Sequence, residues 1–137
     1  MKHFQIWSGR DMVDNPTWSD VNQFLETVRG NLKHLKMEYL NTPVPGTRGL
    51  SVEGDDGLYL PLTLCKNSDG TSAVYYYRNL NADDSWVEVA GYDYPTEILT
   101  DDFELVISMF KEFYEKGSVS AVNFQYDFSK ANRGNRK

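Results

Sequence analysis

A strict alternation between residues 58 and 65 constrains the fold more than any other feature of the sequence. Leu58, Leu60, Leu62 and Leu64 alternate there with Tyr59, Pro61, Thr63 and Cys65. Because successive side chains of a β-strand point to opposite faces, the pattern predicts a strand that carries the leucines on one face. Pro61 has no N–H to donate, so this strand is expected at a sheet edge or at a bulge.

Turn-forming sequences flank this strand and predict an antiparallel sheet. Gly54-Asp-Asp-Gly57 precedes the strand and Asn67-Ser-Asp-Gly70 follows it, and both are typical of tight hairpin turns. Further strands are predicted at Phe4–Trp7, Leu35–Tyr39, Leu50–Val52, Ala73–Leu80, Trp86–Ala90 and Val119–Phe128, with links or loops at Ser8–Pro16, Thr42–Thr47 and Asn81–Asp84. Short connections favour an antiparallel meander.

Two segments have the spacing of amphipathic helices. In the first, Thr17 and Asp20 have the spacing of a capping box, and Gly30 marks the end. In the second, Thr100 is expected to cap the helix and Gly117 to end it. The apolar faces consist of Trp18, Val21, Phe24, Leu25 and Val28 in the first helix and of Phe103, Val106, Ile107, Phe110, Phe113 and Tyr114 in the second.

These elements predict an α+β fold, in which an antiparallel β-sheet of about five to seven strands packs against two main α-helices. The length of 137 residues matches the usual size of one domain. Residues 1–128 are therefore predicted to form a single α+β domain. Residues 129–137 are predicted to be a basic, disordered C-terminal tail.

The distribution of charge indicates the kind of partner that the domain attracts. The formal net charge is −6, but residues 129–137 contain four basic residues and no acidic one. Residues 1–128 hold all 20 carboxylates and only 10 basic side chains, so the formal charge of this body is near −10. Such a body repels nucleic acid and anionic membranes and attracts basic surfaces. The alternative is that the charge only keeps the protein soluble.

The sequence contains few residues that could serve in catalysis or metal binding. Cys65, His3 and His34 are the thiol and imidazole side chains of the sequence, and no catalytic or phosphate-binding motif is present. A zinc site would need several carboxylates, so no metal and no other cofactor is predicted. Exposed carboxylates at turns make poor general acids, so no catalytic residue is assigned. No hydrophobic signal core or membrane span occurs, and a cytosolic location is expected.

Acidic pairs beside aromatic residues form the predicted partner-binding site. The acids lie in predicted turns, from which carboxylates project without being buried, and the rings lie on the neighbouring strands. Acidic groups accelerate the encounter with a basic partner, and buried rings hold the complex together. The alternative is that the rings belong to the core and that the acids are only solvated. The predicted partner-binding residues are Asp55, Asp56, Tyr75, Tyr77, Asp83, Asp84 and Trp86.

Several segments together have the layout of a known family. They are the helix Trp18-Ser-Asp-Val-Asn-Gln-Phe-Leu25, the central hairpins, Tyr94-Pro95 before the helix end Phe110-x-x-Phe113-Tyr-x-x-Gly117, and Val122-Asn-Phe-Gln-Tyr126. In these segments the chain resembles small bacterial immunity proteins of polymorphic and contact-dependent toxin systems, including the Imm1-like group. The resemblance implies that the protein binds one cognate toxin, commonly a nuclease or deaminase, and blocks its active site or an essential surface. It implies no catalytic residues.

The predicted function is therefore that of an immunity protein, and not of an enzyme. Its expected partner is a cognate toxin domain that is basic and acts on nucleic acid, whereas binding to nucleic acid or to a membrane is not expected. Two alternatives stay open: a small carboxylate-dependent enzyme, and a structural or adaptor subunit that self-assembles through its aromatic faces, for example as a homodimer.

Overall fold

The computed structural model describes residues 1–120 and Phe124. Most of the predicted strand at 119–128 and the whole predicted tail at 129–137 lie outside the described residues. In chain order the elements are β1 (Phe4–Ser8), β2 (Asp11–Asp14), α1 (Trp18–Val28), β3 (Lys33–Tyr39), β4 (Gly46–Asp55), β5 (Leu58–Lys66), β6 (Ser72–Tyr76), β7 (Trp86–Val89), β8 (Tyr92–Pro95), a 3-10 turn (Thr96–Ile98) and α2 (Phe103–Lys116).

The strands form two antiparallel sheets. A six-stranded sheet has the order β2-β1-β3-β4-β5-β6, and β7 pairs with β8 in a separate two-stranded sheet. Strands β3 to β6 follow one another as a meander, as the short connections predict. The predicted α+β fold, an antiparallel sheet with two helices, is confirmed.

Both helices pack on one face of the large sheet. The side chains of α1 and α2 that point inward are fully or almost fully buried against alternate residues of β1, β3 and β4. This core contains Phe4, Ile6, Val21, Leu25, Val28, Leu35, Met37, Tyr39, Leu50, Val52, Tyr59, Phe103, Val106, Met109, Phe110, Phe113 and Phe124. Burying these side chains away from water supplies most of the driving force for folding.

The alternation along β5 directs its side chains to both faces of the sheet, and each face carries a core. On the helix side, the ring of Tyr59 lies 4.9 Å from that of Phe103, centroid to centroid. On the other side, Leu58 and Leu60 pack against Val89 in a smaller cluster with Ile98 and Leu99. The leucine face therefore serves to attach the β7–β8 hairpin to the second face of the sheet.

Strand β5 does not lie at an edge of the sheet, contrary to the prediction from Pro61. Strand β4 pairs with β5 on one side, and β6 pairs with Leu62–Lys66 on the other. Beyond β6, the Tyr77 N–H donates to the Pro61 carbonyl over 3.2 Å, and Thr100 bridges to Tyr59. The N and C=O groups of one strand residue point to the same side, so the Pro61 nitrogen faces Tyr77, just past the end of β6, and the ladder with β4 loses no hydrogen bond. The register shift between β4 and β5 lies elsewhere in β4.

The segment Ser8–Pro16, predicted as a link, contains the strand β2. Gly9 has a φ of +60° and closes a hairpin in which Ser8 pairs with Asp11. Strand β2 is an edge strand that half-buries Val13 and exposes its other residues. Because an edge strand buries so little, it lacks the apolar alternation that reveals a buried strand.

Two strands differ from the prediction. The strand predicted at Ala73–Leu80 is shorter in the structure, and β8 was not predicted. Strand β6 ends at Tyr76, and Leu80 is 77% exposed in the loop that follows. Strand β8 follows β7 after only two residues, Ala90 and Gly91. The prediction missed β8 because Tyr92–Pro95 ends in a proline, which is rare inside strands and is tolerated here at the strand end.

The helix ends agree with the sequence at three of the four predicted positions. The capping box of Thr17 with Asp20 is confirmed, Gly30 follows the end of α1 with a φ of +70°, and Gly117 caps α2 in the left-handed region. Asp102, however, caps α2 in place of Thr100. Thr100 is buried and bridges to β5, which leaves it in an extended conformation two residues too early to cap the helix.

Substitution of Ala90 by Gly is expected to stabilise the protein by about 0.5–1 kcal/mol. Ala90 and Gly91 form the turn between β7 and β8, with φ values of +52° and +89°. A Cβ atom is unfavourable in this left-handed conformation, and glycine removes it. Urea denaturation measures the effect. Ala73→Gly in β6 is the matched control and is expected to destabilise, because the strand conformation there gains nothing from glycine.

Candidate protein interface

The β7–β8 hairpin presents an acidic outer face. In its register Glu88 lies directly opposite Asp93, and both side chains are exposed. The alternate residues Val87, Val89 and Tyr94 pack inward on the smaller cluster. Like charges directly opposite each other on two strands repel each other, which lowers the stability of the pairing between β7 and β8.

The turn between β4 and β5 adds two carboxylates at the tip of this hairpin. Asp55 is half-buried, and its Oδ2 accepts a hydrogen bond from the Ala90 N–H over 2.8 Å. Asp56 is exposed in the turn itself, with a φ of +51°. Asp55 therefore has a structural task, which is to hold the tip of the hairpin, while Asp56 projects freely into solvent.

Asp83 and Asp84 lie at the other end of the hairpin. Asp83 accepts hydrogen bonds from the Ser85 N–H and from the Thr96 hydroxyl, both over 3.0 Å, and from the Ser85 hydroxyl. The bonds from Ser85 and then that from Thr96 lower the pKa of the Asp83 carboxyl, so it is held as a carboxylate. Asp84 is exposed, and Trp86 is half-buried at the start of β7.

The segment that carries this hairpin has no positive side chain. Residues 79–110 contain no Lys or Arg but eight carboxylates: Asp83, Asp84, Glu88, Asp93, Glu97, Asp101, Asp102 and Glu104. In the part of the chain that the structure describes, Asp56, Asp84 and Glu88 form no ion pair. We use the name acidic surface for Asp55, Asp56, Asp83, Asp84, Glu88 and Asp93 together with the neighbouring rings of Trp86 and Tyr92.

A further carboxylate, that of Glu53 on β4, lies beneath the hairpin. Burial raises the pKa of the Tyr94 hydroxyl, and the nearby charge of Glu53 raises it further. Tyr92, on the same strand, is 69% exposed at the tip. The hairpin thus combines an exposed ring with negative charge on both of its sides.

Five of the seven residues predicted to bind a partner surround the hairpin, and two lie on the other face of the sheet. Tyr75 and Tyr77 are half-buried and pack against the main core. Burial and the charge of Asp102 raise the pKa of Tyr77. Tyr76 points the opposite way and packs in the smaller cluster. Packing against the main core accounts for the buried parts of the Tyr75 and Tyr77 side chains. Their role as partner anchors stays a prediction.

Glu88, Asp93 and Tyr92 were not among the predicted residues. The sequence carries one signal for them, the absence of Lys and Arg over residues 79–110. The sequence does not show that these residues share one surface, because β8 was not predicted and its pairing with β7 is what brings Asp93 opposite Glu88.

The described residues contain neither a metal cluster nor a membrane-spanning helix. Within residues 1–120 and Phe124, no group of three or more His, Cys, Asp or Glu side chains is arranged to hold a metal ion. In the same part of the chain, no helix has the length and apolar character needed to cross a membrane.

Comparison with known proteins places the chain in a family. A crystal structure of a hypothetical protein from Neisseria gonorrhoeae is similar, with a TM-score of 0.69 and 20% sequence identity over 87% of this chain and 90% of that one. At this identity the likeness shows the fold alone. No curated protein matches the sequence. Residues 2–122 match a family of unknown function, DUF6911, and the chain therefore belongs to that family.

Proposed function

We propose that the protein is an immunity protein, which binds a basic toxin domain with its acidic surface and blocks it in the bacterial cytosol. The observation that carries the proposal is the segment 79–110, which contains the β7–β8 hairpin and displays eight carboxylates and the exposed ring of Tyr92 without a single Lys or Arg. Glu88 lies directly opposite Asp93, and a basic partner would relieve the repulsion between the two carboxylates.

The charge of the surface also indicates the kind of toxin. Enzymes that act on nucleic acid carry Lys and Arg where the phosphate backbone binds. A surface of carboxylates is complementary in charge to such a groove and competes with the nucleic acid for it. Negative charge on the hairpin accelerates the encounter, and burial of Trp86 and Tyr92 in the complex slows its dissociation.

The electrostatics of the described residues support binding over carboxylate catalysis. A general acid needs a carboxyl group with a raised pKa. The carboxyl groups with a clearly shifted pKa are Asp14, Glu26, Asp69 and Asp83, and hydrogen bonds lower the pKa of each one. Of these four groups, Asp83 lies on the acidic surface, where its negative charge suits recognition of a basic partner.

Co-expression with the toxin candidate encoded directly upstream of its gene tests the proposal. The wild-type protein is expected to restore growth of cells that produce this toxin and to co-purify with it. A variant in which Glu88 and Asp93 are both replaced by Lys is expected to fail, although it accumulates to the same level. Growth arrest in the presence of abundant wild-type protein would contradict the proposal.

A further inference from the structure

A small cleft lies between the loop that precedes β7 and the segment that precedes α2. Its volume is about 310 Å³. Its apolar lining includes Leu58, Ala82, Val87 and Leu99, and its carboxylates are those of Asp83 and Asp101. Leu99 is only 3% exposed whereas both carboxylates are exposed, so the cleft has an apolar floor and carries negative charge at its rim.

The carboxylate of Asp83 is held in place by the protein and keeps one oxygen available to a ligand. The Ser85 N–H, the Ser85 hydroxyl and the Thr96 hydroxyl all donate to its Oδ1. Within the described residues, its Oδ2 accepts no hydrogen bond and joins no ion pair. An acceptor that is already fixed loses little conformational freedom when a donor binds to it.

The carboxylate of Asp101 has no structural task in the part of the chain that the structure describes. The capping hydrogen bond from the Leu105 N–H goes to Asp102 instead. Asp101 is exposed, and its side chain makes no hydrogen bond or ion pair with the described residues. Arg78, the basic residue just before the segment 79–110, does not line the cleft and forms no ion pair in the same part of the chain. Among the described residues, the charge at the rim therefore lacks a positive partner.

We propose that this cleft receives an arginine side chain of the toxin domain, and the origin of the arginine in a toxin rests on the proposed function. The methylene stem of the arginine packs along Leu58, Val87 and Leu99. Its guanidinium group donates to Oδ2 of Asp83 and to Asp101. A planar guanidinium with five N–H donors can bond two carboxylates at once, whereas the ammonium group of lysine is compact and more strongly hydrated. Arginine is also among the side chains that contribute most to binding at protein interfaces.

Titration of the full chain with Nα-acetyl-arginine amide at constant ionic strength, followed by NMR of the backbone amides, tests the site. The amide signals of Val87, Thr96 and Thr100 are expected to shift and to saturate, with a dissociation constant on the order of 10 mM. The uncharged isostere Nα-acetyl-citrulline amide is expected to give no saturable shift in the same range, because it lacks the charge that the two carboxylates bind. The absence of a saturable shift with the arginine probe, or equal binding of the citrulline probe, would overturn the proposal.

Two variants test the charge and the shape of the cleft separately. Asp101→Asn removes one carboxylate and Ala82→Leu fills the space, and each is expected to weaken binding of the arginine probe at least about fivefold. Asp56→Asn is the matched control, because it makes the same change in net charge at the other end of the acidic surface, outside the cleft. If Asp56→Asn weakened the probe as much as Asp101→Asn, the general negative charge would explain the binding and the proposal would fail.

Binding of the toxin domain itself identifies the source of the arginine. The Asp101→Asn and Ala82→Leu variants are expected to bind the toxin at least about tenfold more weakly than the wild type does. Full affinity of both variants for the toxin would overturn this proposal and leave the proposed function in place. If the cleft bound the probe but the wild-type protein did not bind the toxin, the proposed function would fail, and with it the assignment of the arginine to a toxin. Tighter binding of the probe by Arg133→Gln/Arg136→Gln would instead assign the cleft to an arginine of the chain itself and overturn the proposal.

Discussion

Replacement of Phe110 by Ala is expected to lower the free energy of unfolding by about 3–5 kcal/mol. Phe110 lies in the middle of α2 and is 0% exposed, within the core that both helices form on the sheet. The other members of this core are fully or almost fully buried, so little can move to fill the space that the ring leaves. Alanine favours the helix, so the whole loss is assigned to packing.

Urea denaturation of Phe110→Ala and Phe24→Ala measures this effect against a matched control. Phe24 lies on α1 and packs against the same core, but it is only half-buried. The same substitution there is expected to cost less than half as much, because solvent already reaches the ring. Equal losses of unfolding free energy at the two positions would show that Phe110 is no more important to the core than Phe24. Domains of this size are stable by about 5–15 kcal/mol, so Phe110→Ala is expected to leave little margin.

The double variant Glu88→Lys/Asp93→Lys is expected to slow association with the toxin about 100-fold at low salt. The two side chains lie opposite each other at the centre of the acidic surface, and their reversal inverts the charge that attracts a basic partner. The pair stays like-charged in the variant, so the repulsion between the two strands is kept. Stopped-flow measurement of the association rate gives the effect.

Salt and position provide the controls for this result. The difference between wild type and variant is expected to shrink as the salt concentration rises, because exposed charges are screened. Glu26→Lys/Glu115→Lys makes the same change in net charge at exposed positions of α1 and α2. If this helix-side variant slowed association as much as the hairpin variant, net charge alone would explain the rates and the acidic surface would have no special role.

The elements that bury an apolar face are the ones that the sequence predicts well. The alternation at Leu58–Cys65 and the helical spacing in α1 and α2 are visible in the sequence, because positions that face a core are mostly apolar. Strands β2 and β8 lack such a pattern, since within the described residues β2 lies at an edge and β8 pairs with β7 alone. The position of Pro61 shows a further limit: its nitrogen faces the chain just past the end of β6, and the point at which β6 ends is set by the tertiary structure.

The candidate site follows the same pattern. Asp55, Asp56, Asp83, Asp84 and Trp86 were predicted from turns and charge, and the hairpin brings them to one region. The tyrosines that share this region are those on the face of β6 that meets the hairpin. Alternation alone predicts that β6 has two faces, but it does not predict which face meets the hairpin and which meets the helices. Tyr75 and Tyr77 lie toward the main core, and Tyr76 lies toward the hairpin.

Titration of the purified toxin domain with the wild-type protein tests the central claim most directly. If the protein is an immunity protein that covers the toxin with its acidic surface, toxin activity falls in proportion to the protein added and reaches its minimum at equimolar concentration. The Glu88→Lys/Asp93→Lys variant then leaves the activity in place under the same conditions. Undiminished toxin activity at a large excess of wild-type protein, with no complex detected, would contradict the account.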